Sequence, residues 1–138
     1  MKDVKVKIVG KQTGLQGEEN TIELITEGKF YKKNDIYYVV YDESEISGMQ
    51  GSTTTLKIQE HKVQMRRFGT NSSKLIFEKG KKHVTDYITA YGEMTMEVLT
   101  NKLNMDISDN GKGKIEMSYR LNISKIAESA NTLSIEIM

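Results

Sequence analysis

The sequence predicts an all-β protein, an antiparallel up-and-down β-barrel of about eight to ten strands, on three observations. Apolar and polar residues alternate from one end of the chain to the other: Ile115, Met117, Tyr119, Leu121 and Ile123 are set against Lys114, Glu116, Ser118, Arg120 and Asn122. That period of two is the pleat of a strand with one buried face. The runs are separated by short turns, most of them rich in Gly, Asn or Asp, which join antiparallel neighbours in sequence order. About ten strands in a row leave two exposed edges unless the sheet closes on itself.

The first run, Asp3–Gly10, opposes Val4, Val6 and Ile8 to Lys5 and Lys7. After a loop over Lys11–Glu19, Asn20–Lys32 aligns Ile22, Leu24, Thr26, Gly28 and Phe30. Lys33-Asn34-Asp35 has hairpin chemistry. It leads into Asp35–Glu43, whose direction is undecided because Tyr37, Val39 and Tyr41 are matched by Ile36, Tyr38 and Val40. A second long loop, Ser44–Ser52, carries Gly48 and Gly51; the two long loops are expected to border any mouth. Then come Thr53–Gln59, Lys62–Phe68, Lys74–Glu78, Thr85–Tyr91, Glu93–Asn101 and Lys102–Ser108, the last two divided by a turn at Asn101-Lys102. Lys114–Ser124 is followed by a link over Ser124–Ala130 with room for one helical turn, and Thr132–Met138 ends the chain. Strand parity turns Met65, Met94, Met96, Met105 and Met117 inward, which is the gap-filling role of an unbranched thioether.

Length and composition fit one domain over residues 1–138. Twenty basic residues against nineteen acidic give a formal charge of +1, so no broad field favours nucleic acid or an anionic membrane. Cysteine is absent, which removes disulfides and thiolate chemistry. The N-terminal residues alternate and form no signal-peptide core, and no stretch approaches the ~20 apolar residues of a membrane span. A cytoplasmic location is expected.

Catalytic and metal motifs fail on their spacing. Asp106-Ile107-Ser108-Asp109-Asn110-Gly111 starts like a calcium loop, but the twelfth position is Met117 instead of a bidentate Glu, so a hairpin turn is the better reading. His61 and His83 lack ligand spacing, and neither a nucleophile elbow nor a phosphate-cradling glycine loop is present. The basic tip Lys79-Gly80-Lys81-Lys82-His83 is bracketed by Glu78 and Asp86. No enzyme activity, metal or cofactor is expected.

Arg67 continues the Val63 and Met65 face, so parity points a guanidinium into the interior or over its rim, where a charge needs a partner. Glu43, which ends its strand, is the leading candidate. The pair closes a barrel end structurally, or the guanidinium receives the anionic head of a ligand. Tyr87, Thr89 and Tyr91, with Tyr119 and Tyr37 or Tyr38, offer apolar bodies with hydroxyl tips that either pack or orient a guest.

Tyr41-x-Glu43, Thr54-Thr55-Leu56-Lys57-Ile58, Arg67-x-Gly69, Phe77, Tyr87-x-Thr89 with Gly92-Glu93-Met94, Thr100 and Ile115-x-Met117-x-Tyr119-x-Leu121 occur in an order and spacing that resemble the YwiB-like proteins of Gram-positive bacteria. The resemblance covers nearly the whole chain. It implies a small β-barrel with a calycin-like, lipocalin-resembling core, signature positions at Arg67, Gly69, Glu43, Tyr87, Gly92 and Tyr119, and no assigned activity. The Gly-x-Trp signature of true lipocalins is missing, since the chain has no Trp.

The expected function is binding of a small amphipathic or anionic molecule in the barrel, with Arg67 and Glu43 near the opening and Tyr41, Tyr87, Tyr91 and Tyr119 along the wall. The alternative is a protein-interaction module with a filled interior, acting through its outer face or an edge strand. A cavity larger than a few waters favours the first.

Overall fold

Period-two patterning and short turns produce ten strands: β1 (Lys2–Gly14), β2 (Glu19–Lys33), β3 (Ile36–Asp42), β4 (Ser52–Ile58), β5 (Lys62–Gly69), β6 (Ser72–Glu78), β7 (Lys82–Thr89), β8 (Gly92–Ile107), β9 (Gly113–Ile123) and β10 (Ala127–Ile137). Each pairs antiparallel with the next, and β1 pairs with β10, from Val6↔Ile137 to Gly14↔Ser129, to close the barrel. The computed structural model describes residues 1–14, 17–43, 51–69, 72–89, 92–124 and 127–138.

The inward parity holds on nearly every strand. Val6, Val39, Leu56, Val63, Phe77, Ile115 and Ile135 are all fully buried. On β3 the choice falls to Val39 and Tyr41, while Tyr38 lies outside and stacks on Tyr31.

Three expectations are corrected. Asn101-Lys102 is not a turn: β8 runs through it with a bulge, where the partners shift from Thr100↔Tyr119 to Lys102↔Ser118. One extra residue reverses parity, which is why Met96, Val98 and Thr100 and then Leu103, Met105 and Ile107 share the interior. Residues 127–130 extend β10 instead of forming a helical turn, because Ala127 to Ala130 find partners from Ile123 to Arg120 on β9. Met94 has inward parity but is 37% exposed, since it lies two residues from the start of β8, past the depth of the core.

The barrel has two unlike ends. At one, the turns after β2, β4, β6 and β8 surround Val4, Phe30, Ile58, Val63 and Phe77, which are buried. The turn after β8 folds over this end as a plug. Gly111 adopts φ +92°, and a Cβ there would stand 2.8 Å from the Phe30 ring, so only glycine allows the close approach. Asp109 accepts hydrogen bonds from Tyr37 and Lys32, which hold its carboxyl below the usual carboxylate range. The calcium-like sequence is thus a cap whose carboxylate is already engaged. At the other end lie the connections after β1, β3, β5, β7 and β9.

The wall is uneven. Among the described residues, β6 and β7 are joined by two pairs, Ser72↔Ile88 and Ser73↔Tyr87. Toward the β6–β7 turn, side chains link the two strands: the Thr85 hydroxyl donates to the Lys74 carbonyl at 2.5 Å, and His83 meets Glu78 at 3.1 Å.

Candidate functional site: an apolar cavity with polar rows in the open half of the barrel

Strand register gathers residues that are far apart in sequence. Tyr41 pairs with Thr54, Thr54 with Arg67, Arg67 with Ser73, and Ser73 with Tyr87, so five adjacent strands present one row of polar side chains to the interior. A second row runs through Tyr119, Asn131, Gln12 and Asn20 on β9, β10, β1 and β2. Between them, Ile8, Ile22, Met65, Leu75, Met96, Leu121, Ile123 and Leu133 help line a cavity of about 360 Å³. The volume lies at the small end for ligand sites.

Arg67 is held from behind. Its Nε donates to Glu43 Oε1 at 3.3 Å, and the Thr54 hydroxyl donates to the same oxygen at 2.6 Å. The Glu43 side chain is 2% exposed and that of Arg67 13%. Glu43 is therefore not at an opening, as its place at a strand end suggested; it is sealed behind the guanidinium. Tyr41 is buried with it, and burial, then the Glu43 charge, pushes its hydroxyl far above the ordinary tyrosine range. Gly69 fixes the strand ends that carry this group: at φ +122° its Cα lies so close to β4 that a Cβ would meet the Gly51 carbonyl oxygen at 2.4 Å.

Of the six residues expected at the site, Arg67, Tyr87 and Tyr119 line the cavity, whereas Glu43 and Tyr41 support Arg67 from outside it. Tyr91 lies outside the described residues, as does most of the Ser44–Ser52 loop. Ser73, Gln12, Asn20 and Asn131 were missed. Ser73 lies one step back along the Leu75 and Phe77 parity, just before the expected strand start at Lys74. Asn131 fell at the edge of the link expected after Ser124.

Tyr119 packs its ring against Phe77, with centroids 4.8 Å apart at 60°. Burial pushes its hydroxyl up to about 12, against a partial pull downward from Arg67. Unfolded tyrosine ionises near pH 10, so the preference of the fold for neutral Tyr119 and Tyr41 is fully present below that pH. It is lost as pH rises toward and beyond about 12. An ultraviolet phenolate titration is expected to show these two phenols ionising after the exposed ones, with denaturant resistance falling across the same interval.

A family model described as "Domain of unknown function (DUF1934)" matches residues 6–135. The chain belongs to that family. Among solved structures, this DUF1934 chain is similar to the ywiB protein from Bacillus subtilis, known from a crystal structure. The TM-score is 0.76 at 22% identity, over 97% of this chain and 92% of that one. At that identity the likeness carries the barrel fold alone. The resemblance drawn from Tyr41, Glu43, Arg67, Tyr87 and Tyr119 thus holds as fold and family. No curated protein matches the DUF1934 chain. Among the described residues, no helix is long and apolar enough to cross a membrane.

Proposed function

We propose that this DUF1934 chain is a cytoplasmic, non-enzymatic, calycin-like barrel that takes a small amphipathic molecule into its open half. The observation that carries the reading is the cavity itself: about 360 Å³ of space with a largely apolar wall, and a guanidinium facing it that a buried carboxylate already fixes in place. A fixed polar group in an apolar cleft orients a guest, which is the usual composition of a binding site. A filled interior, which the protein-interaction alternative requires, sits poorly with that volume.

At roughly 30 Å³ per atom the space suits a guest of about a dozen non-hydrogen atoms. About 0.5 kcal/mol per atom then sets Kd at tens of micromolar. The neutral fluorophore 1-aminoanthracene, of about that size, is expected to bind the purified chain saturably at one site. Filling the cavity with Leu133→Trp is expected to abolish the signal while the fold, followed by far-ultraviolet circular dichroism, persists. Binding that is absent, or indifferent to the filled cavity, overturns the reading.

A further inference from the structure

The polar groups that face the cavity include three hydrogen-bond donors without a matching oxygen. The Ser73 Oγ is buried and has no hydrogen-bond partner among the described residues. Arg67 uses Nε on Glu43, while its Nη2 is directed at the Met65 sulfur at 3.5 Å, a weak acceptor. The Tyr119 hydroxyl, inside the field of Arg67, makes no hydrogen bond among the described residues. A buried donor left unmatched is costly, and an acceptor placed in the cavity would serve all three.

Resting on the binding reading above, we infer that the cavity selects a small monocarboxylate. The flat carboxylate takes Arg67 Nη–H and the hydroxyl hydrogens of Tyr119 and Ser73, and the apolar tail lies against Leu75, Met96 and Leu133. Charge decides among head groups. Glu43 already offsets Arg67, so a phosphate dianion brings two negative charges to a pair that sums to zero, whereas a carboxylate brings one and has donors for its lone pairs. An alcohol has a single oxygen to share among the three donors. An amine adds donors where acceptors are missing.

The test is displacement of 1-aminoanthracene from the full chain by decanoate, decanol, decylamine and decyl phosphate at neutral pH. Decanoate is expected to bind about tenfold or more tighter than decanol and decyl phosphate, as a charge-assisted hydrogen bond allows, with decylamine weakest. Ser73→Ala and Tyr119→Phe are each expected to lower decanoate affinity about fivefold and decanol affinity by clearly less, and Arg67→Met to erase the difference between the two. If Arg67→Met does not fold, the two hydroxyl variants decide. Equal displacement by decanoate and decanol, or tighter binding of decyl phosphate, overturns the carboxylate assignment and leaves the binding reading standing. Failure of the probe to bind at all removes both.

Discussion

Glu43→Ala is expected to lose about 3–5 kcal/mol of unfolding free energy, the cost of leaving a buried charge without its partner. The alanine strands three groups at once. Arg67 keeps a side chain only 13% exposed, with no carboxylate within reach of its Nε, and the Thr54 hydroxyl loses its 2.6 Å acceptor. Tyr41, buried beside Glu43, also loses a partner. Arg67→Met is expected to cost less, because Glu43 keeps donors in Thr54 and Tyr41. The double change E43L/R67M, which removes both charges from the interior, is expected to recover much of the loss. Urea unfolding of the three variants checks the order. Equal and negligible losses from Glu43→Ala and Arg67→Met would mean that the pair is solvated and is no part of a built site.

Phe77→Ala is expected to destabilise by a similar amount, about 3–5 kcal/mol, by a different route. The ring is completely buried and its centroid lies 4.8 Å from that of Tyr119. Its removal forfeits transfer energy, opens a void in a wall that cannot collapse without breaking strand register, and loses the aromatic pair, itself worth about 0.5–1.5 kcal/mol. Tyr119 is also freed to tilt, so the same variant is expected to bind 1-aminoanthracene with altered affinity. A loss under about 1 kcal/mol in chemical denaturation would show that Phe77 does not carry the core packing that its burial and its contact with Tyr119 imply.

The parts of the fold legible in the sequence were those governed by the pleat. Val63, Met65 and Arg67 declared their face without help, and so did Ile115, Met117 and Tyr119, because period two is a local property of the backbone. Register is not local. That Tyr41, Thr54, Arg67, Ser73 and Tyr87 form one row depends on where five strands begin relative to each other, and a strand started two residues late at Lys74 hid Ser73 altogether. The bulge at Thr100 shows the same limit. The parity of both halves of β8 was readable, but an inserted residue and a tight turn leave the same mark on an alternating pattern. Glu43 was correctly paired with Arg67, yet its depth could not be read, since a residue at the end of a strand is as easily covered as exposed.

Among the described residues, backbone pairing between β6 and β7 is confined to Ser72↔Ile88 and Ser73↔Tyr87, with the Thr85 hydroxyl on the Lys74 carbonyl and His83 beside Glu78 as side-chain ties, and Ser73 and Tyr87 line the cavity. Local opening costs least where the fewest backbone bonds must break. Under the binding reading proposed above, opening of this stretch of wall, and not the fit of the occupied interior, sets how fast a guest exchanges.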